Sequence, residues 1–189
     1  QAGWNHFQYP MPGVSTEADL ARQAAHGGQM GLRLAAAPAS GADPQAVVET
    51  APVWISSPEI PLEPGTLAVI HGWVNVPAAI SGSVDGLMIL DSLGGEPLAP
   101  RFTQTAGWQE FTLLRVAPRP AGLQVSFALT GLGEAWIDDV TIQLIAPAPA
   151  SPPGATSSPP RATRRSASTV RRSSSRRRAA ARTSSGRPT

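Results

Sequence analysis

The chain of 189 residues contains no cysteine and no lysine. Without cysteine it has no disulfide framework, no thiolate metal site and no cysteine nucleophile. No apolar run approaches the roughly 18 to 20 residues that cross a bilayer. The sequence starts at Gln1 without methionine and shows no signal peptide, so we expect the C-terminal part of a longer protein. These absences argue against a thiol enzyme and a membrane helix, and they leave the compartment open.

Charge divides the chain into two parts. All thirteen acidic residues lie between Glu17 and Asp139 together with only five of the fifteen arginines, which gives this part a net charge of −8. The other ten arginines lie between Arg161 and Arg187 without any acidic residue, which gives a charge of +10. The basic isoelectric point therefore belongs to the C-terminal part. The acidic part offers no basic face for specific nucleic-acid binding.

The composition predicts one domain over residues 1–145 and a disordered tail over 146–189. Beyond a Pro/Ala linker at Ala146–Pro153, the tail has one β-branched aliphatic residue, Val170, and no aromatic residue. It can bury too little apolar surface to offset the entropy of ordering. Its arginine clusters favour non-specific, salt-dependent binding to anionic polymers. A shifted reading frame through GC-rich DNA is the alternative explanation of this composition.

The hydrophobic pattern of the domain has the period of β-strands. It is clearest between Leu67 and Val76, where apolar residues alternate strictly. One short helix is predicted at Thr16–Ala25, because Thr16 and Asp19 have the spacing of a capping box. About eight strands spaced 8–12 residues apart, without helical crossovers, predict an all-β antiparallel sandwich of the jelly-roll type. They fall at 32–34, 47–55, 58–64, 67–76, 87–90, 108–116, 123–130 and 135–145.

Two groups of aromatic residues are candidate ligand-binding sites. His71, Trp73 and Asn75 share one face of their strand, and a ring beside polar groups suits a sugar. Asp91 and Arg115 are expected on neighbouring strands of that face. The alternative is that Trp73 packs under a loop and His71 binds a backbone carbonyl.

The second group lies near the start of the chain, where Trp4, Phe7 and Tyr9 are expected in an irregular loop. Loop aromatics at the rim of a sandwich are candidate binding residues, with Trp4 and Tyr9 preferred here. The alternative is that they cover the open end of the core. The remaining tryptophans are expected to be structural: Trp54, Trp108 and Trp136.

Catalytic signatures are absent from the sequence. Ser83 lies between Gly82 and Gly86 without the spacing of a nucleophile elbow. The three histidines lack metal-ligand spacing. Glu110 and Glu134 could pair as the carboxylates of a glycosidase only if the fold brings them together. We therefore expect a protein that is not an enzyme.

Seven motifs spread over the domain carry a resemblance to a known family. The motifs are Gly31–Leu34, Ser57–Gly65, His71–Val74, Gly86–Ser92, Gly107–Phe111, Phe127–Gly131 and Gly133–Val140. They resemble the galactose-binding-like jelly rolls, specifically the xylan- and glucan-binding carbohydrate-binding modules of secreted or envelope bacterial proteins. The motif sequences are also similar to domains of planctomycete proteins. The resemblance implies a monomeric, extracellular or cell-envelope module that binds a polysaccharide.

The resemblance also implies a structural calcium ion held by Asp138, with a glutamate of the family's first strand. That strand has no counterpart in this sequence, so we expect the domain to lack it. Strand alternation places Asp138 on the core side with Val140 and Ile142, where a carboxylate needs a partner. One possible partner is calcium, which prefers six to eight oxygen ligands. The alternative is a set of backbone N–H groups at the start of the strand.

The leading hypothesis is a non-catalytic glycan-binding module of a larger secreted or surface protein. The first alternative is a structural or adhesion sandwich without a small ligand. The second is an activity of the tail alone, through anionic polymers.

Overall fold

The computed structural model describes residues 3–42 and 47–147, so the predicted tail beyond Pro147 lies outside the described residues. The described ranges contain twelve β-strands, two 3-10 turns (Arg22–Ala24 and Glu96–Leu98) and no α-helix. The strands are β1 (Asn5–Gln8), β2 (Val14–Ala21), β3 (Gly31–Pro38), β4 (Val53–Ser56), β5 (Ile60–Leu62), β6 (Leu67–Asn75), β7 (Leu87–Asp91), β8 (Arg101–Phe102), β9 (Gln109–Val116), β10 (Ala121–Leu123), β11 (Val125–Leu129) and β12 (Gly133–Ile145).

Ten of these strands form two antiparallel sheets that pack face to face. The first sheet has the order β1-β4-β11-β7-β8, and the second has the order β2-β3-β12-β6-β9. A small third sheet pairs β10 with β5. The prediction of an all-β antiparallel sandwich is confirmed. The connections bring strands distant in sequence together, as expected for a jelly roll.

The core lies between the first and second sheets and is built by alternation along each strand. In β6 the even-numbered residues from Ala68 to Val74 are buried, and the odd-numbered residues to Trp73 are half-buried on the outer face. Phe127 of β11 is fully buried and meets Phe111 of β9 edge to face, with 6.0 Å between ring centroids. Burial of such aromatic and aliphatic side chains is the main stabilising term of the fold.

The predicted helix at Thr16–Ala25 is wrong. Residues Val14–Ala21 form β2, which pairs along its whole length with β3. The segment alternates, with Ala18 turned toward the core and Glu17 and Asp19 turned outward beside Arg33. Pairing with β3 supplies the backbone hydrogen bonds that a helix would have made, so tertiary contacts override the capping pattern.

The structure has twelve strands where about eight were predicted. The additional strands are short or lie in the first thirty residues, which were expected to be irregular. The proline-spaced segment at 58–64 contains β5, which pairs only with β10 in the small sheet, as suits a strand that contains Pro61. The run predicted from residue 47 begins as a strand only at Val53.

A β-bulge interrupts β12 between Asp138 and Thr141. Asp139 lies at its centre with φ of 53°, an unusual conformation for a residue other than glycine. The extra residue inverts the alternation, so that Ile137 and Val140 both face the core. Asp138 therefore faces outward beside Trp73, and the prediction that it shares the side of Val140 is wrong.

Candidate functional site

The outer face of the second sheet carries an aromatic cluster, which we define as His26, Trp73, Trp108 and Trp136. The imidazole of His26 stacks on Trp73 with 4.2 Å between centroids and 16° between planes. Trp108 meets His26 edge-on at 5.1 Å and lies 6.4 Å from Trp136. The three tryptophans are half-buried, and His26 is exposed. The rings thus cover one another, and the segment that carries His26 lies over Trp73.

Two aspartates of the bulge hold that segment in place. The Nδ1 atom of His26 lies 2.8 Å from Asp139 Oδ2, and Asp138 Oδ2 accepts the backbone N–H groups of His26 and Gly27 at 2.8 and 3.1 Å. A Cβ at Gly27 would lie 2.7 Å from Asp139 Oδ2, so a larger residue there would displace the carboxylate that contacts His26. Trp73 is therefore packed under a loop, as the alternative interpretation expects.

The other members of the predicted His71 group have separate roles. The Nε2 atom of His71 lies 2.7 Å from Glu110 Oε1 on β9, so its partner is a carboxylate and not a backbone carbonyl. Asn75 is buried, and its Oδ1 accepts a hydrogen bond from Thr105 at 3.3 Å. His71 thus keeps a polar group near solvent, whereas Asn75 does not.

Asp91 and Arg115 are brought together, but not on the face of Trp73. Arg115 is on the core side of β9, and its Nε donates to Asp91 Oδ2 at 2.8 Å. The Asp91 side chain is fully buried, and its Oδ1 accepts the N–H groups of Leu93 and Gly94 at 3.0 and 2.7 Å. This pair links β7 of the first sheet to β9 of the second. The expectation of a shared outer face is wrong.

The donors around Asp138 do not fit a calcium site. Its Oδ2 accepts two N–H groups and its Oδ1 accepts the N–H of Asp139 at 2.8 Å, so positive N–H dipoles surround the carboxylate where calcium needs oxygen atoms. Within residues 3–42 and 47–147, no three His, Cys, Asp or Glu side chains group as metal ligands. Calcium binding through a wider ligand set stays a prediction from the resemblance.

We expect Asp138→Ala to lower the free energy of unfolding by about 1–3 kcal/mol, because backbone N–H groups lose their acceptor. The melting temperature of the unsubstituted protein should not change between calcium and a chelator. Differential scanning calorimetry measures both. Asp19→Ala, in a solvent-exposed aspartate, is the control and should cost less than about 0.5 kcal/mol. A rise in melting temperature with calcium would contradict our assignment.

Arg33 organises the charged groups beside Trp136 on the outer face of the second sheet. Its guanidinium lies 2.6 Å from Glu17, 3.4 Å from Asp19 and 3.0 Å from Glu134. Hydrogen bonds to Glu17 and then to Glu134 raise the pKa of Arg33, so the side chain stays charged. The indole N–H of Trp136 also donates to Glu134. Glu134 and Glu110 thus have separate partners, Arg33 for Glu134 and His71 for Glu110.

The outer face of the first sheet carries a second aromatic surface. Phe7 of β1 and Trp54 of β4 are directly paired residues, and their rings stack with 5.4 Å between centroids and 13° between planes. Phe7 is 41% exposed. The sequence pattern missed this pair because β1 is only four residues long and Trp54 was expected to be structural.

A row of directly paired residues crosses the outer face of the first sheet beside Trp54. Ala128 of β11 pairs with Trp54 on one side and with Met88 of β7 on the other, and Met88 pairs with Arg101 of β8. Arg101 Nε lies 2.7 Å from Asp85 Oδ1. An aromatic wall at Trp54 and a charged wall at Arg101 therefore flank two buried apolar residues, and we call this row the trough.

Trp4 and Tyr9 lie apart from each other. Trp4 stacks against Phe127 at 6.0 Å and lines a cavity of about 440 Å³ between the two sheets. Tyr9 follows β1, is 50% exposed, and lines a shallow cleft with Met11 and Val14. Trp4 therefore covers the core at one end, while Tyr9 remains available at the surface.

This arrangement of two five-stranded antiparallel sheets is the jelly-roll fold of carbohydrate-binding modules, and comparison with solved structures confirms the resemblance at the level of the fold. One similar structure is a CBM4 module, with 20% identity and a TM-score of 0.52 over 75% of this chain and 86% of that chain. Another is the CBM22-1 xylan-binding domain of Paenibacillus barcinonensis Xyn10C, with 15% identity and a TM-score of 0.44 over 77% of this chain and 88% of that chain. A third is TmCBM61 in complex with β-1,4-galactotriose, with 12% identity and a TM-score of 0.42 over 74% of this chain and 87% of that chain.

No family model and no curated protein matches the chain. Among the described residues, no helix has the length and apolar character needed to cross a membrane.

Proposed function

We propose that this domain binds a carbohydrate on the outer face of the first sheet. The observation that carries the proposal is the exposed, nearly parallel stack of Phe7 on Trp54. Flat aromatic faces bind the C–H faces of sugar rings, while nearby polar groups bind the hydroxyls. The sheet face offers this combination without a deep pocket, as suits an extended polymer.

The dimensions of the trough support the same proposal. Three strand spacings of about 4.8 Å separate Trp54 from Arg101, so the walls stand roughly 14 Å apart. Between the walls lie Ala128 and Met88, each 6% exposed, and beside them lies Ser126, whose hydroxyl hydrogen-bonds to Ser56 at 2.7 Å. Arg101 and Asp85 supply donors and acceptors at the far wall. A sugar chain lying along β11 would contact both walls.

We propose binding rather than turnover, in a secreted or surface module of a larger protein. The two carboxylates considered as a glycosidase pair, Glu110 and Glu134, lie on the opposite sheet. Each already has a partner, His71 for Glu110 and Arg33 for Glu134. Neither faces the trough.

Affinity gel electrophoresis of the whole chain in xylan, mixed-linkage glucan and galactan tests the proposal. We expect at least one polysaccharide to retard the protein, and Trp54→Ala and Phe7→Ala to weaken binding about tenfold or more, because an aromatic anchor of the interface is lost. Tyr9→Ala should weaken it less. Leu114→Ala, an exposed residue on the outer face of the second sheet, is the control and should bind normally.

Two outcomes would contradict the proposal. If a folded Trp73→Ala variant lost binding while Trp54→Ala kept it, the site would be the predicted His71, Trp73 and Asn75 group. If no polysaccharide retarded the protein, the alternative of a structural or adhesion domain would be favoured. Circular dichroism of each variant separates loss of binding from loss of folding.

A further inference from the structure

We infer that the open side of the sandwich, between β1 and β2, accepts an extended polypeptide segment as an added strand. This side is distinct from the trough on the first sheet. Three observations point to it: an apolar cavity between the sheets, core-facing side chains left exposed there, and two strands with unpaired edges.

The cavity has a volume of about 440 Å³ and reaches from the surface to the centre of the core. Its inner wall is formed by Phe127 and Ile137, both buried, and by Ile55 and Leu32. A volume of this size holds several side chains. The two sheets are therefore not packed against each other in this corner.

Residues at the mouth of the cavity have the character of core residues. Leu20 has the core-facing parity of β2, as Ala18 does, yet it is 48% exposed because nothing on the first sheet covers it. Met30 is 49% exposed and Trp4 is 38% exposed at the same opening. Three large apolar side chains from three chain segments thus surround one gap, where a strand would cover them.

The edges of both sheets lie beside this gap. In the described ranges β1 pairs only with β4, and β2 pairs only with β3, so each has one edge without a strand partner. An exposed edge is a template for a further strand, and β2 with eight residues is long enough to bind one. Backbone hydrogen bonds to the edge would give affinity, and alternate side chains in the cavity would give specificity.

The charge around the gap indicates which segment fits. Asp19 and Asp139 lie at the rim of the cavity with side chains 54% and 46% exposed, and among the described residues no arginine lines it. The acidic part of the chain has a net charge of −8. The occupant is therefore an extended segment with apolar residues at alternate positions and arginine or lysine at its ends.

A seven-residue peptide, Arg-Val-Ser-Leu-Ser-Ile-Arg, tests this inference when titrated into the whole, isotope-labelled chain. We expect saturable binding, with slowed amide exchange along β2 or β1 and perturbed methyl signals of Leu20 and Met30. A peptide with its three apolar residues placed together is the control. It should bind about tenfold more weakly, because its adjacent apolar side chains would point to opposite faces of the bound peptide and only one face can enter the cavity.

Leu20→Glu places a charge at the mouth and should weaken peptide binding about tenfold, while leaving the fold and polysaccharide retardation unchanged. Glu63→Gln, at the turn before β6, is the matched variant and should bind normally. Equal affinity for both peptides, or binding without slowed exchange at either edge, would overturn the inference. So would octylamine binding at the same site while the peptide does not.

Discussion

Asp91→Ala is expected to lower the free energy of unfolding by about 3–5 kcal/mol, because it leaves the guanidinium of Arg115 without its buried partner. The same substitution removes the acceptor for the N–H groups of Leu93 and Gly94, which form the turn after β7. The first and second sheets lose their charged link along one edge. Urea denaturation followed by circular dichroism measures the change.

Two variants distinguish this effect from a general cost of removing charge. Asp85→Ala breaks the half-exposed pair with Arg101 and should cost less than about 1 kcal/mol. Replacing both partners, Asp91→Leu with Arg115→Met, should recover part of the loss, since no unpaired buried charge remains. An Asp91→Ala variant as stable as the Asp85→Ala variant would show that Arg115 finds another partner.

Phe127→Ala is expected to cost about 3–5 kcal/mol, because it removes a large aromatic side chain from the centre of the core. The ring contacts Phe111 and Trp4 and also walls the cavity, so its loss would enlarge a space that is already only partly filled. The emission of Trp4 should change with the loss of its stacking partner. Urea denaturation and tryptophan fluorescence measure the two effects.

The control for this substitution is Phe127→Leu, which keeps most of the apolar volume. It should cost less than about half as much as Phe127→Ala. If the two variants were equally stable, the cavity would have collapsed around the smaller side chain. The aromatic contacts of Phe127 would then contribute little to the stability of the core.

The fold could be predicted from the sequence wherever a long strand has one buried face. In β6 and β11 the alternation of apolar residues and the flanking turns place Ile70 and Phe127 inside, as the structure confirms. Short strands carry too few residues for a period, so β1, β8 and β10 could not be recognised. The N-terminal strands also depend on partners distant in sequence, and a local capping pattern competed with β2.

The candidate site was harder to predict because it depends on contacts across the fold. Strand alternation places Trp73 on an outer face, but it does not show that His26 lies over the ring. Asp91 and Arg115 were expected on neighbouring strands of the Trp73 face, and instead they form an ion pair that joins the two sheets. The stack of Phe7 on Trp54 depends on a pairing of two short strands, which no local pattern indicates.

The bulge in β12 matters for anyone who would redesign this strand. A residue-by-residue alternation that ignores Asp139 would assign Thr141 and Gln143 to the interior and Val140 and Ile142 to solvent. Substitutions chosen on that basis would place apolar side chains on the solvent face and polar side chains in the core along the part of β12 that follows the bulge. The single extra residue thus decides which alternate side chains of β12 after the bulge face solvent and can be substituted without disturbing the core.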